Sequence, residues 1–200
     1  MNDGANRGRA ASYLRWIRAT LGSGRKPVYY ASALIGLAAG LAAITLKSAV
    51  HAVAALSEGL VALSALPSLR YALPTLGILL TVAFTRYIIK DDIAHGVAKV
   101  LKARAKHKGI IAPHNMFSSI VGAAVTVGTG GSVGLEAPVM YTGSAISSNL
   151  ARLFRFDTRT RIILVGCGSA AAVSAIFKAP IAGIVFALEV LMIDSTIGNK

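Results

Sequence analysis

Apolar residues run along the chain in long stretches, and charged residues are gathered between them. Residues 28–46 carry no charge, and Tyr29 and Tyr30 open that run where an interfacial aromatic belt belongs. The run predicts a first membrane-spanning helix, continued through Lys47 and His51 towards Glu58. Lys47 and His51 are four residues apart and share a helix face, so a tilted helix that turns them to the bundle or towards the far interface explains them without a proton relay. Pro67 and Pro74 punctuate a short connection, and residues 71–85 form a second apolar run extended by residues 86–89. A third run, residues 116–151, holds one charged residue, Glu136. A fourth covers residues 162–177, and Pro180 opens a last segment ending near Glu189.

An ionisable side chain in so apolar a run is expensive in a bilayer and marks a functional site by default. Gly128, Gly130, Gly131 and Gly134 loosen the backbone before Glu136, and Pro138 suits the first turn of a new helix. The pattern predicts helix, break, helix. Backbone freed at membrane depth must be buried in protein or line a watery cavity, and the amides that open the second helix carry partial positive charge. An anion could dock there, and Glu136 could take the same place when no other anion does. Residues 137–151 would make a helix of only about 22 Å against a hydrocarbon core of about 30 Å, which predicts a partial crossing. Phe177, Lys178, Ala179 and Pro180 form a second break. Short, Gly/Pro-interrupted helices point to a substrate site near the bilayer midplane.

Composition agrees with the pattern. The 200 residues are 54% hydrophobic and 14% charged, with a mean hydropathy of +0.64, too apolar for an ordinary soluble domain. A net charge of +13 would suggest nucleic acid in a soluble protein, but the cations flank apolar spans rather than forming one stripe. One cluster lies in residues 1–26, where apolar residues interleave with Arg7, Arg9, Arg15, Arg18, Arg25 and Lys26 as in a surface-lying amphipathic helix. A second has seven Lys or Arg residues between positions 86 and 108 against Asp91 and Asp92, and reads as a solvated loop. The third is Arg152, Arg155, Arg159 and Arg161. With all three on the cytoplasmic side, the chain goes out and back over residues 28–89 and again over 116–150, then out over 162–177. The single cysteine, Cys167, excludes an intrachain disulfide and reads as a packed thiol. The four histidines, His51, His95, His107 and His114, are scattered, so neither a metal site nor a cofactor is expected. The first apolar run begins behind a polar leader, unlike a cleavable signal peptide.

Three stretches in order resemble the CLC family of chloride channels and proton/chloride antiporters. Gly-Leu-Glu-Ala-Pro at 134–138 is similar to that family's G-[KR]-E-G-P motif, with Glu136 at the gating glutamate. Ile-Phe-Lys-Ala-Pro-Ile-Ala-Gly and the residues to Met192 resemble its F-x-A-P-[IL]-A-G-[IL]-x-F-x-x-E signature. Residues 94–101, AHGVAKVL, are similar to the G-[SH]-G-[IVL]-P-E-[VL] stretch whose amides help hold chloride. The resemblance covers residues 28–195. It implies an all-α membrane protein, a multi-helix transmembrane bundle with broken, re-entrant half-helices, corresponding to the first half of the family's inverted repeat. Residues 1–27 would then be a cytoplasmic basic segment and residues 196–200 a truncated end.

The resemblance implies that Glu136 gates and that His95, Gly96, Val97, Gly134, Ala137 and Val139 bind the anion. Leu135 stands in place of a cation and Ala137 in place of a glycine, which alters the outer vestibule. Ala94 and Ala98 replace a Gly and a Pro. For His95 a loop histidine near the cytoplasmic interface and an anion ligand remain equally open. Glu189 matches the signature glutamate, where a snorkelling or capping role fits, and Lys178 an interfacial lysine that adds to the attraction for anions. Val190 occupies the position of the antiporters' inner proton-route glutamate, which implies passive, channel-like conduction over proton-coupled exchange. The expected function is gated chloride transport across a membrane without enzymatic activity, in the bacterial inner or plasma membrane. The partners implied are chloride or a similar small anion, the lipid bilayer and, for the full-length protein, a second copy in a homodimer; nucleic acid is not among them. An intramembrane enzyme such as a lipid-modifying transferase would need a catalytic partner for Glu136 on another span, and a non-conducting scaffold would need no two breaks.

Overall fold

The computed structural model describes residues 26–64, 68–89 and 96–189. Of the surface helix expected in residues 1–26, only Lys26 is described, and it opens the first spanning helix instead; residues 1–25, Pro67, Asp91, Asp92, His95 and Val190 lie outside the described residues. The described residues form helices and connections, with no strand among them. Helix α1 is Lys26–Ser64, α2 is Leu69–Ala83 continued by a π-helical turn over Phe84–Ile89, and α3 is Gly96–Lys106. A 3-10 turn at Pro113–Met116 leads to α4, Ser118–Gly128; α5 is Glu136–Leu153, α6 Thr158–Phe177 and α7 Pro180–Ala187. The chain is an integral membrane protein: Pro27–Leu63, Arg70–Ile89 and Thr158–Phe177 are long and apolar enough to cross a bilayer.

At 39 residues, α1 extends roughly 58 Å, so it must tilt strongly or project beyond a bilayer core of about 30 Å. Its buried face is a ladder of mostly small residues, Ala31, Ile35, Ala39, Ala43 and Leu46, while Leu34, Leu37, Leu41 and Ile44 are exposed. Lys47 and His51 are also exposed, and so turn away from the described bundle rather than into it. Pro74, expected to punctuate the connection, lies inside α2. It is the sixth helical residue, so its missing N–H releases only the carbonyl of Arg70 near the helix start. Within the basic stretch of residues 86–108, expected as a solvated loop, residues 96–106 form α3, whose Gly96, Val100 and Ala103 are buried at helical spacing.

Helix α5 lies at the centre. Its 18 residues extend roughly 27 Å, longer than the stretch 137–151 because the helix runs from Glu136 to Leu153, yet still shorter than a hydrocarbon core of about 30 Å. Residues 139–148 are buried without a break, including Thr142, Ser144, Ser147 and Ser148. Ser144 and Ser169 share a 2.6 Å hydroxyl hydrogen bond across to α6, and Ser147 donates to the Gly143 carbonyl at 2.9 Å. Ser148 donates to the Gly109 carbonyl at 2.7 Å and accepts from the Ile111 amide at 3.0 Å, fastening the connection after α3 to α5. One apolar cluster joins Val100 of α3 to Met140, Tyr141 and Ala145 of α5, Val165 and Val173 of α6 and Ala187 of α7. Another joins Ala39, Ala43 and Leu46 of α1 to Ala123, Val139 and Ala172.

The ends of α6 are built locally. The Asp157 carboxylate accepts from the amides of Arg159 and Thr160 at 3.1 and 3.3 Å, an N-cap; hydrogen bonds from Thr160 chiefly, with that from Arg159, hold its pKa below the ordinary carboxylate value. Lys178 ends α6 with a left-handed φ of 55°, and Pro180 then opens α7, giving the second break that the sequence predicts.

α5 and α6 touch backbone to backbone. A Cβ on Gly143 would overlap the Gly168 carbonyl and approach Ala172 Cβ to 2.7 Å, and a Cβ on Gly168 would lie 2.5 Å from the Gly143 carbonyl. Gly143→Val should therefore force the helices apart and destabilise the fold by roughly 1–3 kcal/mol or more. Thermal unfolding of the purified protein in detergent measures this, and an unchanged midpoint would contradict the contact.

Candidate functional site

The Gly-rich break is a defined structure. Gly130, at φ 98°, donates its amide to the Val127 carbonyl at 3.0 Å, and Gly131 donates to Thr126 at 2.9 Å. This Schellman arrangement needs a residue without a Cβ penalty at the positive φ and meets two of the last carbonyls of α4. The Ser57 hydroxyl of α1 donates to the Gly128 carbonyl at 3.0 Å, which meets another. A cavity of about 290 Å³ beside this corner is lined by Glu58, Arg70, Pro74, Gly128 and Gly130, among others.

After the break, α5 starts at Glu136 with Leu135 as N-cap and no side-chain cap. Pro138 has no N–H, and the Val139 amide donates to the Leu135 carbonyl at 3.1 Å. Val139 therefore does not offer the free amide expected of it, because it already closes the first helical turn. The amides of Glu136 and Ala137 have no hydrogen-bond partner among the described residues. They sit where a helix concentrates partial positive charge.

The start of α3 packs directly on this turn. A Cβ on Gly96 would lie 2.6 Å from the Ala137 carbonyl and 3.1 Å from Tyr141 Cβ. Gly96 is thus brought to the first turn of α5, and Val97 packs on the apolar cluster that holds Met140 and Tyr141, so the described start of α3 meets the start of α5. Gly134 lies against the Glu136 carboxylate, close enough that a Cβ there would overlap Oε2. Although it stands in an apolar run, the Glu136 side chain is exposed. The reason is helix geometry: side chains tilt towards the helix N-terminus, so the first residue projects back over the preceding loop, away from the packed turns below. Leu135, in place of a cation, packs with the cluster around Ala39 and Val139.

Sequence reasoning missed Lys99. Its ammonium lies 5.9 Å from the centroid of the buried Tyr141 ring, and the residue is half-buried rather than part of a solvated run. The available signal was spacing, since Lys99 follows Gly96 by three and shares its helix face. Lys178 and Glu189 are both exposed, and Glu189 lies at the edge of a groove beside Ala179 and Pro180. Cys167 is half-buried with Sγ 4.0 Å from the Ser32 hydroxyl, a packed thiol as expected. No group of three His, Cys, Asp or Glu residues among the described residues is placed to hold a metal ion.

Comparison with known proteins gives a family match: the model described as voltage-gated chloride channel matches residues 77–199, a span that contains all three motif stretches. A putative chloride channel protein ClcB-like from Ralstonia nicotianae is 30% identical over 168 residues, covering 79% of this chain and 39% of that protein. Chloride channel protein CLC-c of Arabidopsis thaliana is 38% identical over 94 residues, 40% of this chain and 12% of that protein. CLC-e of the same plant is 37% identical over 89 residues, 44% of this chain and 12% of that protein. The chain thus spans well under half the length of these relatives. No solved structure matches it significantly.

The contact of α3 with α5 yields a direct test. Gly96→Val should push the two helix starts apart and lower stability by roughly 1–3 kcal/mol, read as a drop of several degrees in the thermal midpoint. A midpoint equal to that of the native protein would mean that the two N-termini do not meet.

Proposed function

The chain belongs to the voltage-gated chloride channel family, and from that premise we propose that residues 28–195 form the first half of a chloride-conducting membrane unit gated by Glu136. The observation that carries this reading is the convergence of the Gly96 and Glu136 helix starts beside one carboxylate. Chloride is the cargo suggested by the names of the relatives. In this reading the free amides of Glu136 and Ala137, with those of Gly96 and Val97, replace part of the ion's hydration shell, and fixed dipoles do so without reorganisation. Gly134 lets the Glu136 side chain lie over the loop, and His95, the residue before Gly96 in sequence, is kept as a further anion ligand on the resemblance alone.

Glu136 stands at the start of the helix that carries two of these amides. Ionised, it competes with chloride for them; protonated, it has no charge to offer and leaves the outer path to the anion. The Val190 position carries no acid to relay protons from the inner side, which favours passive conduction over exchange. The working form is a homodimer of the full-length protein in a plasma membrane, bacterial inner membrane included. The relatives' names are those of channels, which supports transport rather than enzymatic turnover.

Chloride flux through the full-length protein should rise as external pH falls, and Glu136→Gln and Glu136→Ala should make it independent of external pH. Flux from proteoliposomes at a series of external pH values measures this. A pH dependence that persists in both variants would remove Glu136 from the gate.

A further inference from the structure

The second and third basic clusters, separate in sequence, meet at one corner of the fold. Gly109, just after α3, packs on the start of α6: a Cβ there would lie 3.3 Å from Ile162 Cγ1 and 3.6 Å from Arg161 Cγ. The Arg161 guanidinium donates to the Lys108 carbonyl at 3.4 Å and to the Phe156 carbonyl at 3.3 Å, tying the two connections together. The result is a fixed collar on which Lys106, Lys108, Arg155 and Arg159 are all exposed. Asp157, the one acidic residue between positions 137 and 188, is engaged as the N-cap of α6. The collar therefore keeps a net positive charge.

Its place in the fold decides what that charge meets. The collar sits where the spanning helix Thr158–Phe177 begins, so it lies at the boundary between membrane and water. Beside the cations, Leu153 is 54% exposed, and the Phe154 and Phe156 rings, 6.3 Å apart, are only partly covered. Exposed apolar side chains among cations suit a ligand with a charged head and a hydrocarbon body. Separate cations on an open surface hold free phosphate poorly in water, whereas a headgroup is already concentrated at the interface.

We propose that this collar docks the phosphodiester headgroup of an anionic phospholipid in the leaflet it faces. Lys106, Lys108, Arg155 and Arg159 surround the headgroup, and Leu153 meets the first methylenes of the acyl chains. Arg161 is a positioning residue that holds the two connections in register. The proposal does not depend on chloride conduction, so it stands or falls separately from the function given above.

The test is lipid retention by the full-length protein purified in neutral detergent, with phosphatidylglycerol and phosphatidylcholine of equal chain length as probes and bound lipid counted by native mass spectrometry. Phosphatidylglycerol should be retained in preference to phosphatidylcholine. The triple variant Lys106→Gln, Arg155→Gln, Arg159→Gln should weaken that retention about fivefold per charge removed. The double variant Arg155→Lys, Arg159→Lys should keep it, as should Lys47→Gln on the exposed face of α1. A thermal midpoint equal to the native value shows that the triple variant is folded; if it is not, the single variant Arg159→Gln replaces it, with a fivefold loss expected. Equal retention of the two lipids, or undiminished retention by the charge-removal variants, overturns the proposal. Complete displacement of phosphatidylglycerol by millimolar inorganic phosphate also overturns it, because the surface would then be a site for a free anion.

Discussion

The arrangement depends on how closely α5 can be surrounded. This helix buries Thr142, Ser144, Ser147 and Ser148 beside Tyr141 and begins at a carboxylate, and its residues 139–148 are enclosed by other helices. Enclosure requires neighbours without bulk. Gly143 and Gly168 let α5 and α6 touch through their backbones, the alanine ladder of α1 closes a second side, and Gly96 lets α3 reach the first turn. Once these contacts are made, Ser144 and Ser169 find each other and the start of α5 is fixed in position. The position of Glu136 is a consequence of that packing.

The rest of the described bundle follows the logic of a bilayer rather than of water. Large apolar residues such as Leu37, Leu41, Leu79 and Ile181 are exposed, while alanine, glycine and serine fill the contacts. Lipid is as apolar as leucine, so close packing and interhelical hydrogen bonds decide which helices meet. The breaks obey the same rule of satisfied backbone. Carbonyls at the end of α4 are met by Gly130, Gly131 and Ser57, and the Ala179 amide past α6 returns to the Ser174 carbonyl at 3.1 Å. The first two amides of α5, like those at the starts of α4 and α7, are left without a partner among the described residues, as helix starts are.

Much of this was legible because it rests on local chemistry. The apolar runs, the glycine cluster before Glu136, the prolines opening short helices and the N-terminal placement of Glu136 all depend on residues a few positions apart. What escaped depends on partners distant in sequence or on local geometry finer than the hydrophobic pattern. The charge density after Lys99 hid the Gly96, Val100, Ala103 spacing that makes α3 a packed helix, and Tyr141, the partner of Lys99, lies 42 positions away. Val139 was expected to offer an amide, but only the closed turn on Leu135 reveals that it is engaged. The apolar neighbours of Glu136 in sequence do not show that it is exposed, which follows from its place as the first residue of a helix, pointing back over its loop. Pro74 was tolerated inside α2 because only a carbonyl near the helix start loses its donor.

The measurement that bears most directly on the account is chloride efflux from proteoliposomes holding the full-length protein, with external pH recorded at the same time. Chloride should move down its gradient and drive no uphill proton flux, as a path gated by Glu136 with valine at position 190 requires. Proton counter-movement in fixed proportion to chloride would contradict it.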